Sequence, residues 1–346
     1  MIEGHGDDLY RYERPIIANF SSNVYDGISN KRLRRHLSRL LQQEDCIGSY
    51  PEPQPYSLEK ALAGKLHVDV RNVCVTSGAT AAIYLIAQTF HGSTSAIVQP
   101  TFAEYADAAG MSAHRVLSKY LTGNEEADLC IEEGVRLVWI CNPNNPTGVV
   151  LPKDFLKRIC QENPDVVFVI DQSYEDFTQK ALFTSKEVVD NHPNVLLLHS
   201  MTKHFAVPGI RLGYITGAAS LLDHVKTHRM PWSVGRLASE SGLFLLSEEP
   251  EPFDLAELLR ESQFLRDELR KIAGLEVWQS DTHFMLVRMR YGNAKALKEY
   301  LAEEHGILIR DASNFEGLDE HFFRVATQQH PHNILLIEAL RQWMES

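Results

Sequence analysis

The sequence predicts an α/β protein: a large domain built on a mostly parallel central sheet flanked by helices, and a smaller α+β domain. Three observations carry that expectation. Short apolar runs alternate with helical patterns between residues 72 and 200. Two of those runs, VRLVWI at 135–140 and VVFVI at 166–170, are apolar throughout, as strands buried on both faces must be. Beyond Pro252 the order changes to helix, strand, helix, strand, strand, helix.

In chain order, residues 1–45 show no strong strand pattern and are expected to pack with the smaller domain. The large domain is expected over 46–250 and the small one over 251–346. Proline clusters at Pro51, Pro53 and Pro55, and at Pro250 and Pro252, mark loops, because proline removes a donor and disfavours helix before it. NVCVT at 72–76 predicts a strand and 79–90 a helix. A strand at 95–98 and a helix at 102–109 follow. The two apolar runs come next, and VLLL at 195–198 repeats their pattern. Such alternation argues a parallel sheet, whose functional residues gather at the carboxyl ends of the strands. After Pro252, helices are predicted at 255–272, 294–303 and 334–344. Strands are predicted at 284–288, 307–310 and 322–326.

Composition excludes several classes. Of 346 residues, 44% are hydrophobic and 23% charged, which rules out a disordered or low-complexity chain. The net charge is −12, from 34 Lys and Arg against 46 Asp and Glu. A general nucleic-acid or anionic-membrane binder needs a basic face, so neither partner is expected. The five cysteines are irregularly spaced and form no CxxC, so neither a disulfide framework nor a zinc site is expected, and a cytoplasmic location fits. The first ten residues lack the basic and apolar regions of a signal peptide, and no apolar run is long enough to span a bilayer. The fifteen histidines show no metal-ligand spacing, and there is no P-loop and no G-x-G-x-x-G after a strand.

Four strand ends are each followed by a polar cluster. Ser77-Gly78-Ala79-Thr80 is either a tight turn or an anion site at a helix N-terminus. Cys141 to Gly148 (CNPNNPTG) is either a plain turn or a backbone that aims an asparagine into a cleft. Asp171, with Tyr174 three residues on, is either a helix cap or a buried carboxylate in need of a partner. Ser200-Met201-Thr202-Lys203, with Arg211 eight residues further, is either surface charge or a phosphate cup beside a reactive amine.

Taken together, N-P-T-G, D-x-x-Y and S-x-x-K with a later arginine resemble the fold-type-I pyridoxal-phosphate enzymes, the aspartate aminotransferase superfamily. The resemblance implies a PLP-dependent transferase fold with pyridoxal 5'-phosphate as cofactor. It implies that Lys203 holds the cofactor aldehyde and moves protons at the substrate α-carbon. Asp171 then partners the pyridinium nitrogen, and Asn145 with Tyr174 donates to the phenolic oxygen. Gly78, Ala79, Thr80, Ser200, Thr202 and Arg211 resemble the phosphate cup. Phe102 stands where the family stacks an aromatic ring on the cofactor, with Tyr105 as the other candidate. Tyr50, in a Y-P segment, matches a residue that reaches the phosphate of a neighbouring subunit, which implies a homodimer with shared active sites. The bottom-up chemistry agrees: a lysine becomes nucleophilic when neighbouring cations help its amine lose a proton, and a phosphate dianion needs several donors.

Fold does not fix the reaction. Arg310 ends the run ILIR and Arg324 lies in FFRVA. Arginines there are either surface ion pairs or bidentate grips on substrate anions. The string from Ile309 to Asp319 (IRDASNFEGLD), with His5-Gly6-Asp7-Asp8 and Asn19 to Asn23 (NFSSN), resembles the threonine-phosphate decarboxylases of cobalamin synthesis. Those relatives read H-G-G where this chain has His5-Gly6-Asp7. The resemblance implies decarboxylation of O-phospho-L-threonine to (R)-1-aminopropan-2-yl phosphate, with Arg310 and Arg324 holding substrate anions and His5, Ser22 and Asn23 closing over the phosphate. The alternative is a histidinol-phosphate aminotransferase, whose substrate carries a phosphate and no carboxylate. An aminotransferase-like transcription factor is disfavoured by the acidic charge and by the presence of both Lys203 and Asp171.

Overall fold

The computed structural model of the protein describes residues 6–121, 129–247 and 253–345. His5, Pro250 and Pro252 lie outside the described residues. The larger sheet contains β2 (Val73–Thr76), β3 (Thr94–Gln99), β4 (Arg115–Tyr120), β5 (Leu137–Cys141), β6 (Val167–Asp171), β7 (Val195–Ser200) and β8 (Gly213–Gly217). Their order across the sheet is β2-β8-β7-β6-β5-β3-β4. All neighbours are parallel except that β8 runs antiparallel to both β2 and β7.

The apolar runs are explained by burial on two faces. On β5, Leu137, Trp139 and Cys141 pack with Ile83, Ile97 and Val169 on one side. Val138 and Ile140 pack with Phe168, Leu197 and Leu156 on the other. The period of two is present, but both phases are apolar because helices cover both faces. Trp139 and Phe168 are both 0% exposed.

A second sheet, of order β12-β13-β10-β9, is antiparallel throughout. It comprises β9 (Leu275–Val277), β10 (Phe284–Met289), β12 (Arg310–Asp311) and β13 (Phe322–Ala326). The amino-terminal β1 (Ala18–Asn19) pairs in parallel with β11 (Ile307–Leu308). Phe20 and Ala18 enter the same core as Leu297, Ile309 and Val325. Among the described residues, no helix is long and apolar enough to cross a membrane.

Three sequence expectations change. The single strand at 307–310 is two, because Ile307 and Leu308 pair with β1 while Arg310 and Asp311 turn to pair with β13. The helix expected from 102 begins at Glu104. Thr101 N donates to Gln99 Oε1 at 3.0 Å and Asn144 Nδ2 donates to Pro100 O at 2.9 Å, which holds Phe102 in the preceding loop. The strands β4 and β8 were not anticipated.

Candidate active site

Register brings the four polar clusters together. Cys141 pairs with Asp171 across β5 and β6. Gly213 pairs with Thr76 on one side and Ser200 on the other. The carboxyl ends of β2, β5, β6 and β7 therefore open on one space, a cavity of about 320 Å³. Of the residues expected there, Ala79, Thr80, Phe102, Asn145, Asp171 and Tyr174 line it. So do Ser200, Thr202, Lys203 and Arg211 from the cup segment, and Ser22, Arg310 and Arg324 from the substrate side.

The cup has a local cause. Gly78 caps the helix Ala79–Thr89 with φ +90°, a conformation that L side chains rarely adopt. A Cβ there would meet the Arg211 guanidinium at 2.7 Å. Arg211 itself has φ +59°, just after the turn Pro208–Ile210, and this folds it back over the helix end. A Cβ on Gly213 would meet Ala79 N at 2.6 Å and His199 O at 2.8 Å. A helix N-terminus with open N–H groups beside a guanidinium suits a phosphate.

Asp171 is 4% exposed at the end of β6. Its Oδ2 accepts from the Tyr105 hydroxyl at 2.7 Å and its Oδ1 from Ser173 N at 2.8 Å. Burial pushes its carboxyl up, while the Ser173 and Tyr105 bonds oppose that. Tyr105 thus serves Asp171, and its ring stacks on Trp139 at 5.7 Å between centroids. Burial, with the Asp171 charge beside it, holds the Tyr105 hydroxyl well above its ordinary value, so it stays a donor.

Lys203 lies in the short helix Met201–His204, with Nζ 2.5 Å from Ser22 O. Burial, then Arg324 and Arg211, pushes its ammonium down to about 8, against an opposing pull from Asp7. Its amine is therefore available near neutral pH. Tyr174 packs edge-on against Phe284 at 4.8 Å, and burial raises its hydroxyl to about 12.

Arg310 and Arg324 are register partners on β12 and β13 and are 6% and 4% exposed. Arg310 donates to Asp311 O at 2.6 Å and to Asn314 Oδ1 at 2.7 Å. Arg324 donates to Asn145 Oδ1 and to Ser21 O. Burial lowers both guanidinium groups to about 10, and Arg324 adds to the effect on Arg310. Both remain cationic at neutral pH. Because Arg324 takes Asn145 Oδ1, the amide is oriented with Nδ2 as its remaining donor.

Three expected residues do not line this cavity: Asn23, Gly78, and Tyr50, which was expected at a neighbouring subunit's site. Asn23, read as closing over the substrate phosphate, does not line the cavity. Its backbone is left-handed, φ +54°, which buries the side chain entirely, and its carbonyl accepts from His283 Nε2 at 3.3 Å. Tyr50 is 83% exposed and packs on Trp232 at 5.5 Å, outside this chain's own cavity. Gly78 shapes the cup through its backbone. Sequence reasoning missed Gly6, Asp7, Ser21, Ser173 and Phe315, which also line the cavity. Asp7 has φ +66°, in the left-handed region that favours glycine. Here its N–H donates to Ser21 Oγ at 2.8 Å and its carboxylate accepts from Asn19 Nδ2 at 2.6 Å.

A Lys and a buried Asp lining one cavity with an N-terminal anion cup and a donor amide fit pyridoxal 5'-phosphate. The chain belongs to the aminotransferase class I and II family, which matches residues 15–335. Members of that family use pyridoxal 5'-phosphate, and it is this protein's cofactor. The chain is 31% identical to a putative threonine-phosphate decarboxylase of Caldanaerobacter subterraneus subsp. tengcongensis, over 86% of this chain and 84% of the relative. It is 27% identical to a histidinol-phosphate aminotransferase of Ruminiclostridium cellulolyticum, over 94% and 92% of the two chains. The crystal structure of L-threonine-O-3-phosphate decarboxylase from Porphyromonas gingivalis superposes with a TM-score of 0.90 at 36% identity, covering 95% of this chain and 100% of that one.

Proposed function

We propose that this chain is a carbon–carbon lyase that decarboxylates O-phospho-L-threonine to (R)-1-aminopropan-2-yl phosphate and CO2, in the aminopropanol branch of cobalamin synthesis. One observation carries the choice. The cavity wall holds two buried arginines in register, Arg310 and Arg324, whose hydrogen bonds go to carbonyl and amide oxygens. As a single substrate, O-phospho-L-threonine brings two anionic groups to such a pair, whereas histidinol phosphate brings one, and an aminotransferase would use the pair fully only with the two carboxylates of 2-oxoglutarate.

Pyridoxal 5'-phosphate supplies the electron sink for the pair left when a bond at the substrate α-carbon breaks. Ala79, Thr80, Ser200, Thr202 and Arg211 hold its phosphate, with Gly78 shaping the helix end. Asp171 keeps a proton at the ring nitrogen, braced by Tyr105 and Ser173. Asn145 Nδ2 and the Tyr174 hydroxyl would be the donors for the cofactor's phenolic oxygen, and Phe102, on the same cavity wall, would be the aromatic cover. Arg310 and Arg324 grip phosphate and carboxylate, and two grips fix which α-carbon bond is set to break. Once CO2 has left, Lys203 Nζ returns a proton to the α-carbon. The same reading makes the enzyme a cytoplasmic homodimer, with exposed Tyr50 entering a partner's site.

The second reading, histidinol-phosphate aminotransferase, is supported by a relative matched over 94% of this chain, a share that a threonine-phosphate decarboxylase also reaches. A product assay separates the two. Cofactor-loaded protein given O-phospho-L-threonine without any keto acid is expected to form the phosphorylated amine. Unchanged substrate, with turnover of histidinol phosphate and 2-oxoglutarate, would favour the aminotransferase.

A further inference from the structure

We propose that Lys298 keeps Arg310 available to the substrate's anionic group by holding the carboxylate of Asp8. The inference rests on the reading of Arg310 as a substrate grip. Lys298 lies in the helix Ala294–His305, and its Nζ reaches both carboxylate oxygens of Asp8, at 2.9 and 2.6 Å. The two side chains are only 7% and 9% exposed. Asp8 belongs to the segment that crosses the cavity wall. Two residues earlier, a Cβ on Gly6 would lie 3.5 Å from Arg310 Cδ, so the segment runs along the arginine stem.

A carboxylate in this position has three cations within its field, Lys298, Arg310 and the more exposed Arg11. Asp8 and Asp311 both favour the charged form of Arg310, yet Asp8 is hydrogen-bonded to Lys298. A buried carboxylate must be paired, and removal of its partner is strongly unfavourable. Deprived of Lys298, Asp8 would turn to another cation, and Arg310 is the buried one whose charge it already favours. Arg310 lies against the same segment at Gly6, and its present partners are a carbonyl and an amide oxygen, weaker acceptors than an anion. An internal carboxylate on Arg310 would then compete with the incoming phosphate or carboxylate. Arg11 also touches Asp8, but at 3.4 Å and with 52% of its side chain exposed, so it is a weak substitute.

The test uses holoenzyme, with inorganic phosphate and O-phospho-L-threonine as probes. Lys298→Met is expected to weaken phosphate binding by calorimetry, and to raise KM, by about tenfold or more, with kcat and the cofactor absorbance unchanged. Adding Asp8→Asn to Lys298→Met removes the competing charge and is expected to restore both values. Lys298→Arg is expected to behave like the parent. A double variant no better than the single one overturns the proposal, and so does a Lys298→Met whose melting temperature falls while its KM stays at the parent's value, which is what a structural role alone would give. So does unchanged phosphate affinity in Lys298→Met when Arg310→Gln loses it. If Arg310→Gln itself changes neither value, the substrate-grip reading fails, and the inference with it.

Discussion

Arg310 and Arg324 stand directly opposite one another across β12 and β13, two buried guanidinium groups with neutral oxygens as hydrogen-bond partners. Like charges placed opposite in a ladder are destabilising. In the proposed function this wall meets the substrate's anionic groups. Arg310→Gln should therefore raise the melting temperature slightly, by roughly one or two degrees. It should lower kcat/KM for the substrate by about tenfold to a hundredfold, since a hydrogen bond to a charged group is worth ~1.5–3 kcal/mol. Calorimetry and steady-state kinetics on the same preparation check both signs.

Lys203 gives a pH dependence with a definite direction. Its ammonium falls from the ordinary 10.5 to about 8 in the folded protein. Between those values the unfolded chain binds the extra proton, so this group makes stability rise with pH across that window. Lys203→Met should flatten that part of the curve in chemical denaturation of the apoprotein. Covalent capture of the cofactor aldehyde should climb about tenfold per pH unit below 8 and level off above it. Lys203→Ala should abolish turnover, and a variant that still turns over removes Lys203 from its role.

Asp171 and Tyr105 are coupled through their 2.7 Å hydrogen bond. Asp171→Ala should lower the rate severely, and it strands a buried hydroxyl at a cost of about 1–3 kcal/mol. Tyr105→Phe in the same background removes that stranded group, so the double variant should be more stable than Asp171→Ala alone. Equilibrium denaturation of the three variants measures the difference.

Gly213→Ala tests the cup. The new Cβ would face Ala79 N, Gly78 C and His199 O at 2.6, 2.8 and 2.8 Å, all backbone atoms that no rotamer change can move aside. Overpacking of this kind costs about 1–3 kcal/mol. Cofactor affinity, read by fluorescence titration, should fall together with the melting temperature. Gly64→Ala, where a Cβ meets nothing within 4 Å, is the control.

The central strands were legible because burial on both faces writes an unbroken apolar run, as in β5 and β6. β8 was not, since Gly213 and Gly217 are glycines for want of space against their neighbours rather than for strand preference. β4 was not, because it is an edge strand with mixed exposure. The strand-end residues Asp171, Asn145 and Lys203 were legible because their side-chain types are unusual after apolar strands. Partners far apart in the chain carried no local signal. Tyr105 with Asp171, Ser21 with Arg324, and Asp8 with Lys298 are separated by 66, 303 and 290 positions. Asn23 misled because its sequence neighbourhood says nothing of the left-handed turn that buries it.

The most direct test of the decarboxylase reading is mass spectrometry of the product formed from O-phospho-L-threonine by holoenzyme in D2O. Cleavage of the bond to the carboxylate predicts a phosphorylated amine that keeps the substrate α-hydrogen and gains one deuterium on the same carbon. Recovered O-phospho-L-threonine deuterated at the α-carbon, with no loss of CO2, would contradict the account, because it would mean that the site breaks the C–H bond instead.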